Sequence, residues 1–339
     1  MKGENMINHK NYNPTIDFWR IVATVMIMLN HLYELNIPQP YPFLKGDCFV
    51  VFFFLLTGAL TARHFEHSDE SDKVATSIKY TVRKFAKFLP YTTGAIVAAY
   101  VITYWEYLKT APMVFVKRFL EMPLELFYVS DLFWFPVLGP LWFVSAMAIA
   151  FPLLCIVLQW KNKSLVYLLG GYSAIIYFGF LNQHLNEIHL APIRAFLCMM
   201  AGAAAYGISC KVSQYGAAKK RNTIIFLFAN VLMVLACGLT AKNQETVLYD
   251  ICFFVAIACL MSDTTIQNTG VVGRIIKLIS NLSFPLYVWH WVVAKILMIW
   301  ETKFGMTERI ILYFAGSVVG AIINIGLIKI FKKKKCENG

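Results

Sequence analysis

Ten apolar stretches punctuate this chain, at roughly 15–35, 47–62, 88–105, 139–159, 164–182, 190–209, 223–240, 246–262, 282–300 and 309–331. A helix needs about 20 mostly apolar residues to cross the hydrocarbon of a bilayer. No water is there to satisfy backbone amides, so such segments must close their own hydrogen bonds. The pattern predicts an all-α, polytopic membrane protein of about ten transmembrane helices. Composition agrees: only 15% of residues are charged and 58% are hydrophobic, where a soluble chain is about 25% charged. An ordinary cytosolic enzyme and a disordered protein are thereby excluded. The second stretch is short, and the third opens with Pro90, which a first helical turn accepts. Asn13-Pro14 has the form of an N-cap and first helical position, and Pro140 and Pro192 also stand near helix starts. The first stretch has no small-residue cleavage site after it and is expected to remain as a membrane helix. This divides the chain into a cytoplasmic segment (1–14), one membrane domain (15–331) and a basic cytoplasmic tail (332–339).

Ten spans put both termini on one side. With that side cytoplasmic, Lys and Arg inside outnumber those outside about three to one, a positive-inside bias. The net charge of +12 is therefore mostly topological. Nucleic acid is not needed to explain it, and the bilayer is the expected partner. The stretch 106–138 is long for a loop. Within it, Lys117, Glu121 and Glu125 recur every four residues and share one helix face. An amphipathic helix on the membrane surface near 113–128 is expected, with Pro123 counting against an unbroken helix and a re-entrant segment as the alternative. The eight Cys show no C-x-x-C spacing and are expected to be buried small hydrophobes or free thiols. No metal site is expected.

Ionisable groups inside spans cost about 2.5–3.5 kcal/mol each near a helix centre, so they are the first candidates for function. Arg20 and His31 share the first span. Eleven residues at about 100° each make three turns plus about 20°, which puts both on one face about 16 Å apart. The alternatives are that Arg20 snorkels or pairs with Asp17, and that His31 is a satisfied core histidine or is held by Glu34. In the ninth span Ser283, Tyr287 and His290 follow i, i+4, i+7 spacing, again one face, with Pro285 expected in the first turn. An interhelical hydrogen-bond seam would explain them equally. Arg83, Lys84 and Lys87 make a basic cluster at the inner mouth of the third span, suited to anionic lipid or to a phosphorylated donor. Asp250 and Arg194 are expected to be structural charges.

Together these residues resemble a known family. Arg20-x10-His31 is similar to the R/K-x10-H signature of acyltransferase family 3, the integral-membrane O-acyltransferases of bacterial envelopes. The segment VVFFFLLTGAL resembles that family's Phe-Phe-x-x-Ser-Gly, with Phe53, Phe54, Thr57 and Gly58 at the matching positions. KFAKFLPY (Lys84 to Tyr91) resembles R-x-x-R-I-x-P, GPLWFV (from Gly139, including Trp142) resembles the Leu-Trp-Phe segment, and SFPLYVWH resembles the closing Ser-x-x-x-Tyr-x-x-His. Departures are Thr57 for Ser, Lys84 and Lys87 for two Arg, and Met147-Ala148 where some members carry Glu-Glu.

The resemblance implies transfer of an acyl group, most often acetyl, from cytoplasmic acetyl-CoA to a hydroxyl of an envelope polysaccharide or its lipid-linked precursor. It implies a multi-pass protein of the bacterial inner membrane, no tightly bound cofactor, and polysaccharide-synthesis proteins as partners. On that basis His31 and Arg20 are the expected catalytic pair, His31 as general base or transient acyl carrier. Lys84, Lys87 and Arg83 are expected to bind the donor, and Glu34, Ser283, Tyr287, His290 and Trp142 to position substrates. The competing class is a multi-span transporter of a glycan or small metabolite, since polar stripes inside a bundle also suit transport. A membrane sensor is disfavoured by the short loops.

Overall fold

The computed structural model describes residues 13–37, 46–67, 72–130, 137–181, 190–214, 219–241, 247–262 and 270–337. The first twelve residues of the expected cytoplasmic segment lie outside the described residues. The chain runs α1 (Pro14–Asn30), α2 (Phe49–Phe65), α3 (Lys73–Ala86), α4 (Leu89–Tyr104), α5 (Tyr107–Thr110), α6 (Pro112–Leu126), α7 (Leu141–Leu158), α8 (Lys163–Ile176), α9 (Ala191–Gln214), α10 (Lys219–Ala241), α11 (Val247–Leu260), α12 (Val271–Ile299) and α13 (Met306–Glu337). Among the described residues all regular structure is helical.

Each of the ten apolar stretches holds one helix, and α3, α5 and α6 are additional. By length and apolar character α7, α9, α10, α12 and α13 can each cross a bilayer, and a sixth crossing exists if α3 and α4, bent by 54° at their junction, form one broken span. α2 and α11 are apolar but shorter. Exposed apolar surface is plain on α10 and α13: Val231, Val234 and Ile311 are about 60% exposed. A soluble protein would not leave so many such residues in water, so the chain is a multi-pass membrane protein.

Local chemistry explains the elements near the site. Asn13 caps α1, its side chain accepting from Thr15 N at 3.0 Å and Ile16 N at 3.4 Å, and Pro14 occupies the first position. α1 tightens into a 3₁₀ turn over His31–Leu35 and ends at Asn36, whose φ of 51° is left-handed. The Tyr313 hydroxyl donates to Met28 O at 3.0 Å, and Arg309 donates to Leu35 O, so α13 fastens this turn. α2 and α9 approach closely through glycine. A Cβ on Gly58 would stand 1.8 Å from Met199 O, and one on Gly202 would stand 2.0 Å from Leu55 O. Small residues let helix backbones touch in this way.

Two prolines depart from expectation. Pro285 is not in a first turn: α12 begins at Val271, so Pro285 lies mid-helix. Pro123 lies inside α6 without breaking it. Membrane helices accommodate such residues because neighbours satisfy the freed backbone groups. α6 also differs in its facing. Lys117 is exposed and Glu121 half-buried, but Glu125 is fully buried, so the last turn of the helix enters the protein.

Candidate active site

Five helices, α1, α2, α3, α7 and α12, enclose a cavity of about 240 Å³ around Arg20. Arg20 and Thr24 come from α1, Thr57 from α2, Lys84 from the end of α3, and Ser283 and Tyr287 from α12; Phe53, Phe88, Phe143 and Phe284 supply aromatic walls. The structure thus brings together Arg20, Lys84, Ser283 and Tyr287, which lie more than 250 residues apart at the extremes.

Arg20 is shared among partners. Its Nη1 meets Asp17 Oδ1 at 2.9 Å and Ser280 Oγ at 3.3 Å. The i−3 ion pair is therefore formed, yet the guanidinium still lines the cavity. An ion pair that is partly exposed contributes little to stability, and Arg offers further donors in its planar fork. Lys84 stands with Nζ 4.3 Å from the centre of the Phe151 ring, a cation–π contact. Of the basic cluster, only Lys84 faces inward; Arg83 and Lys87 are exposed.

Ser283 is 3% exposed and lines the cavity, and among the described residues its hydroxyl has no partner. Tyr287 is different. Its hydroxyl donates to Pro140 O at 2.8 Å, which commits it to the protein and leaves its ring as wall.

His31 does not line this cavity; two aromatic contacts connect it. The Tyr287 and His290 rings lie 5.9 Å apart, and the His290 and His31 rings stack at 5.2 Å. Trp291 meets His31 edge-on at 5.2 Å. His290 is fully buried, with Nδ1 3.3 Å from Leu286 O and Nε2 without a partner among the described residues. A carbonyl can only accept, which assigns the proton to Nδ1 and a bare lone pair to Nε2. His31 Nδ1 is likewise buried and has no partner among the described residues. Glu34 makes no hydrogen bond to that nitrogen; it lies within electrostatic reach of Lys295 instead. Trp142 sits apart, with the Arg194 guanidinium 5.8 Å from its ring. Arg194 also stands 6.0 Å from Tyr177, so its partners are aromatic as well as polar.

Several residues at the site were not legible as site residues. Thr24 is one turn beyond Arg20, a spacing that could have flagged it. Trp291 adjoins His290 and is held by its Nε1 donating to Val137 O at 3.2 Å. Glu125 accepts Leu138 N–H at 2.7 Å and Val137 N–H at 3.3 Å. Burial pushes its carboxyl up to about 7; those two amides, the Tyr100 hydroxyl and Lys295 pull in the opposite direction. A carboxylate flanked by Leu124 and Leu126 was the available signal.

A family model described as an acyltransferase domain matches residues 13–329, nearly the whole chain. No curated protein and no solved structure matches the chain.

Proposed function

The chain belongs to acyltransferase family 3, and from that premise we propose that it moves an acetyl group from cytoplasmic acetyl-CoA to a hydroxyl of an envelope polysaccharide or its lipid-linked precursor. The observation that carries the proposal is the placing of two cations, Arg20 and Lys84, in one cavity, with the imidazole of His31 beyond the packed rings of Tyr287 and His290. Cations at one end suit the phosphates of a CoA donor. The donor diphosphate would sit at Lys84 and Arg20, with the adenosine left at the cytoplasmic mouth and the slender thioester arm inside. The unpartnered Ser283 hydroxyl would donate to a carbonyl or amide of that arm.

In the proposed reaction the neutral imidazole of His31 takes the proton of the acceptor hydroxyl. The alkoxide oxygen attacks the thioester carbonyl and a C–O bond forms. The tetrahedral oxyanion then collapses, the C–S bond breaks, and the leaving thiolate recovers the proton from the His31 imidazolium. Arg20 would hold the donor phosphates. Enzyme and transporter differ in covalent change. Purified protein in nanodiscs, given radiolabelled acetyl-CoA and glycan-bearing membranes, is expected to release free CoA and label the glycan. A carrier would move glycan without consuming the donor, and that result would reject the proposal.

A further inference from the structure

Glu125 belongs to none of the family-like motifs and does not line the cavity, yet it is fully buried. A carboxyl so placed is unfavourable unless it is hydrogen-bonded. Both its oxygens are used, Oε1 by Leu138 N and Oε2 by Val137 N. These amides lie in the short segment that leads into α7, and the same segment holds α12 in three ways. Val137 O accepts the Trp291 indole N–H at 3.2 Å. Gly139 lies flush against Trp291, where a Cβ would come within 2.5 Å of the ring. Pro140 O accepts the Tyr287 hydroxyl at 2.8 Å. Trp291 then presents its ring to His31 at 5.2 Å.

We infer that Glu125 is a positioning residue: by clamping Val137 and Leu138 it holds Trp291 against His31 and so sets the orientation of the imidazole toward the acceptor hydroxyl. This rests on the acyl-transfer role given to His31 above. Two parallel N–H groups need two acceptors side by side, which a carboxyl supplies and a hydroxyl does not. An amide keeps the shape and one acceptor, so Glu125→Gln is the conservative variant, and Glu125→Ala removes the clamp.

The test is a double-mutant cycle in full-length purified protein, with Glu125→Ala, Trp291→Phe and the pair together. Turnover of acetyl-CoA is measured with glycan-bearing membranes. In parallel, carbethoxylation of His31 by diethyl pyrocarbonate is followed by peptide mass spectrometry, which needs no substrate. A reactive group displaced by about 1 Å loses about 100-fold in rate. Each single variant is expected to lose about 10- to 100-fold in kcat, with KM for acetyl-CoA within about twofold. The double variant should be no worse than the poorer single, since the two residues act through one path. Glu125→Gln, which keeps one of the two acceptors, should retain more turnover than Glu125→Ala yet stay about tenfold below wild type, and His31 should become more reactive to the reagent in both single variants.

Multiplicative losses in the double variant would overturn the inference, as would unchanged His31 reactivity in both singles. If Glu125→Ala does not accumulate, the same cycle is run with Glu125→Gln and judged by the same non-additivity. If the wild-type protein consumes no acetyl-CoA, the acyl-transfer reading fails, and His31 reactivity alone decides whether Glu125 positions it.

Discussion

Gly139→Ala is a small change placed where the account is most sensitive. The added Cβ would lie 2.5, 2.8 and 2.9 Å from three atoms of the Trp291 ring. Ordinary carbon contacts are about 3.5–4.0 Å, so the ring must retreat by about 1 Å. That retreat breaks or lengthens the Trp291 Nε1 to Val137 O bond, now 3.2 Å, and moves the edge that meets His31 at 5.2 Å. Overpacking of this kind costs about 1–3 kcal/mol of stability, while an error of about 1 Å at a reacting group costs about 100-fold in rate. The expected result is a protein that inserts and accumulates, melts a few degrees lower, and turns over acetyl-CoA roughly 10- to 100-fold more slowly. Thermal melting in detergent and steady-state CoA release measure the two quantities separately. Wild-type turnover in a Gly139→Ala protein would show that Trp291 does not govern His31, and the reasoning would fail at that step.

Three further outcomes follow from the same structure. Only Lys84 of the basic cluster lines the cavity. Lys84→Ala is therefore expected to raise KM for acetyl-CoA about 10- to 100-fold, the worth of a charge-assisted bond of about 1.5–3 kcal/mol; Arg83→Ala and Lys87→Ala should each change it far less, and equal effects in all three would contradict the assignment. Gly58→Ala would place Cβ 1.8 Å from the Met199 carbonyl, so α2 and α9 must part, and a stability loss of at least about 1–3 kcal/mol should appear as a lower melting temperature; an unchanged melt refutes the close approach. Burial raises the Glu125 carboxyl from 4.5 to about 7. Between those values the unfolded chain has released a proton that the folded chain keeps, so stability should fall as pH rises through that window, by on the order of 3 kcal/mol; Glu125→Gln should flatten the melting temperature against pH from 5 to 7.5, and parallel curves would count against it.

Helix existence was readable because each stretch is apolar and its backbone must bond to itself. Arg20, Ser283 and Tyr287 were readable as wall residues for the same reason: a polar group within a span must face protein or a cavity. What escaped depends on contacts between distant segments. The start of α12 lies at Val271 rather than near 282 because Arg274 and Lys277 ride on a helix that overhangs the apolar stretch, and hydropathy marks only the apolar part. Arg83 and Lys84 are neighbours in sequence, but on α3 they point about 100° apart, so one enters the cavity and the other does not. Helical spacing correctly related Glu125 to Lys117 and Glu121, yet could not show that the last turn of α6 passes under the segment at 137–140. His31 follows the end of the helix that carries Arg20, but the contacts between them run through α12, by way of His290 and Tyr287, and no periodicity within α1 contains that information.

The central claim is that His31 performs the acyl transfer. The direct measurement compares wild-type and His31→Ala proteins at equal membrane levels, recording free CoA released and acetyl groups gained by the surface polysaccharide of cells. Both are expected to fall to background in His31→Ala while donor binding persists. Full acetylation by a well-inserted His31→Ala protein would contradict it.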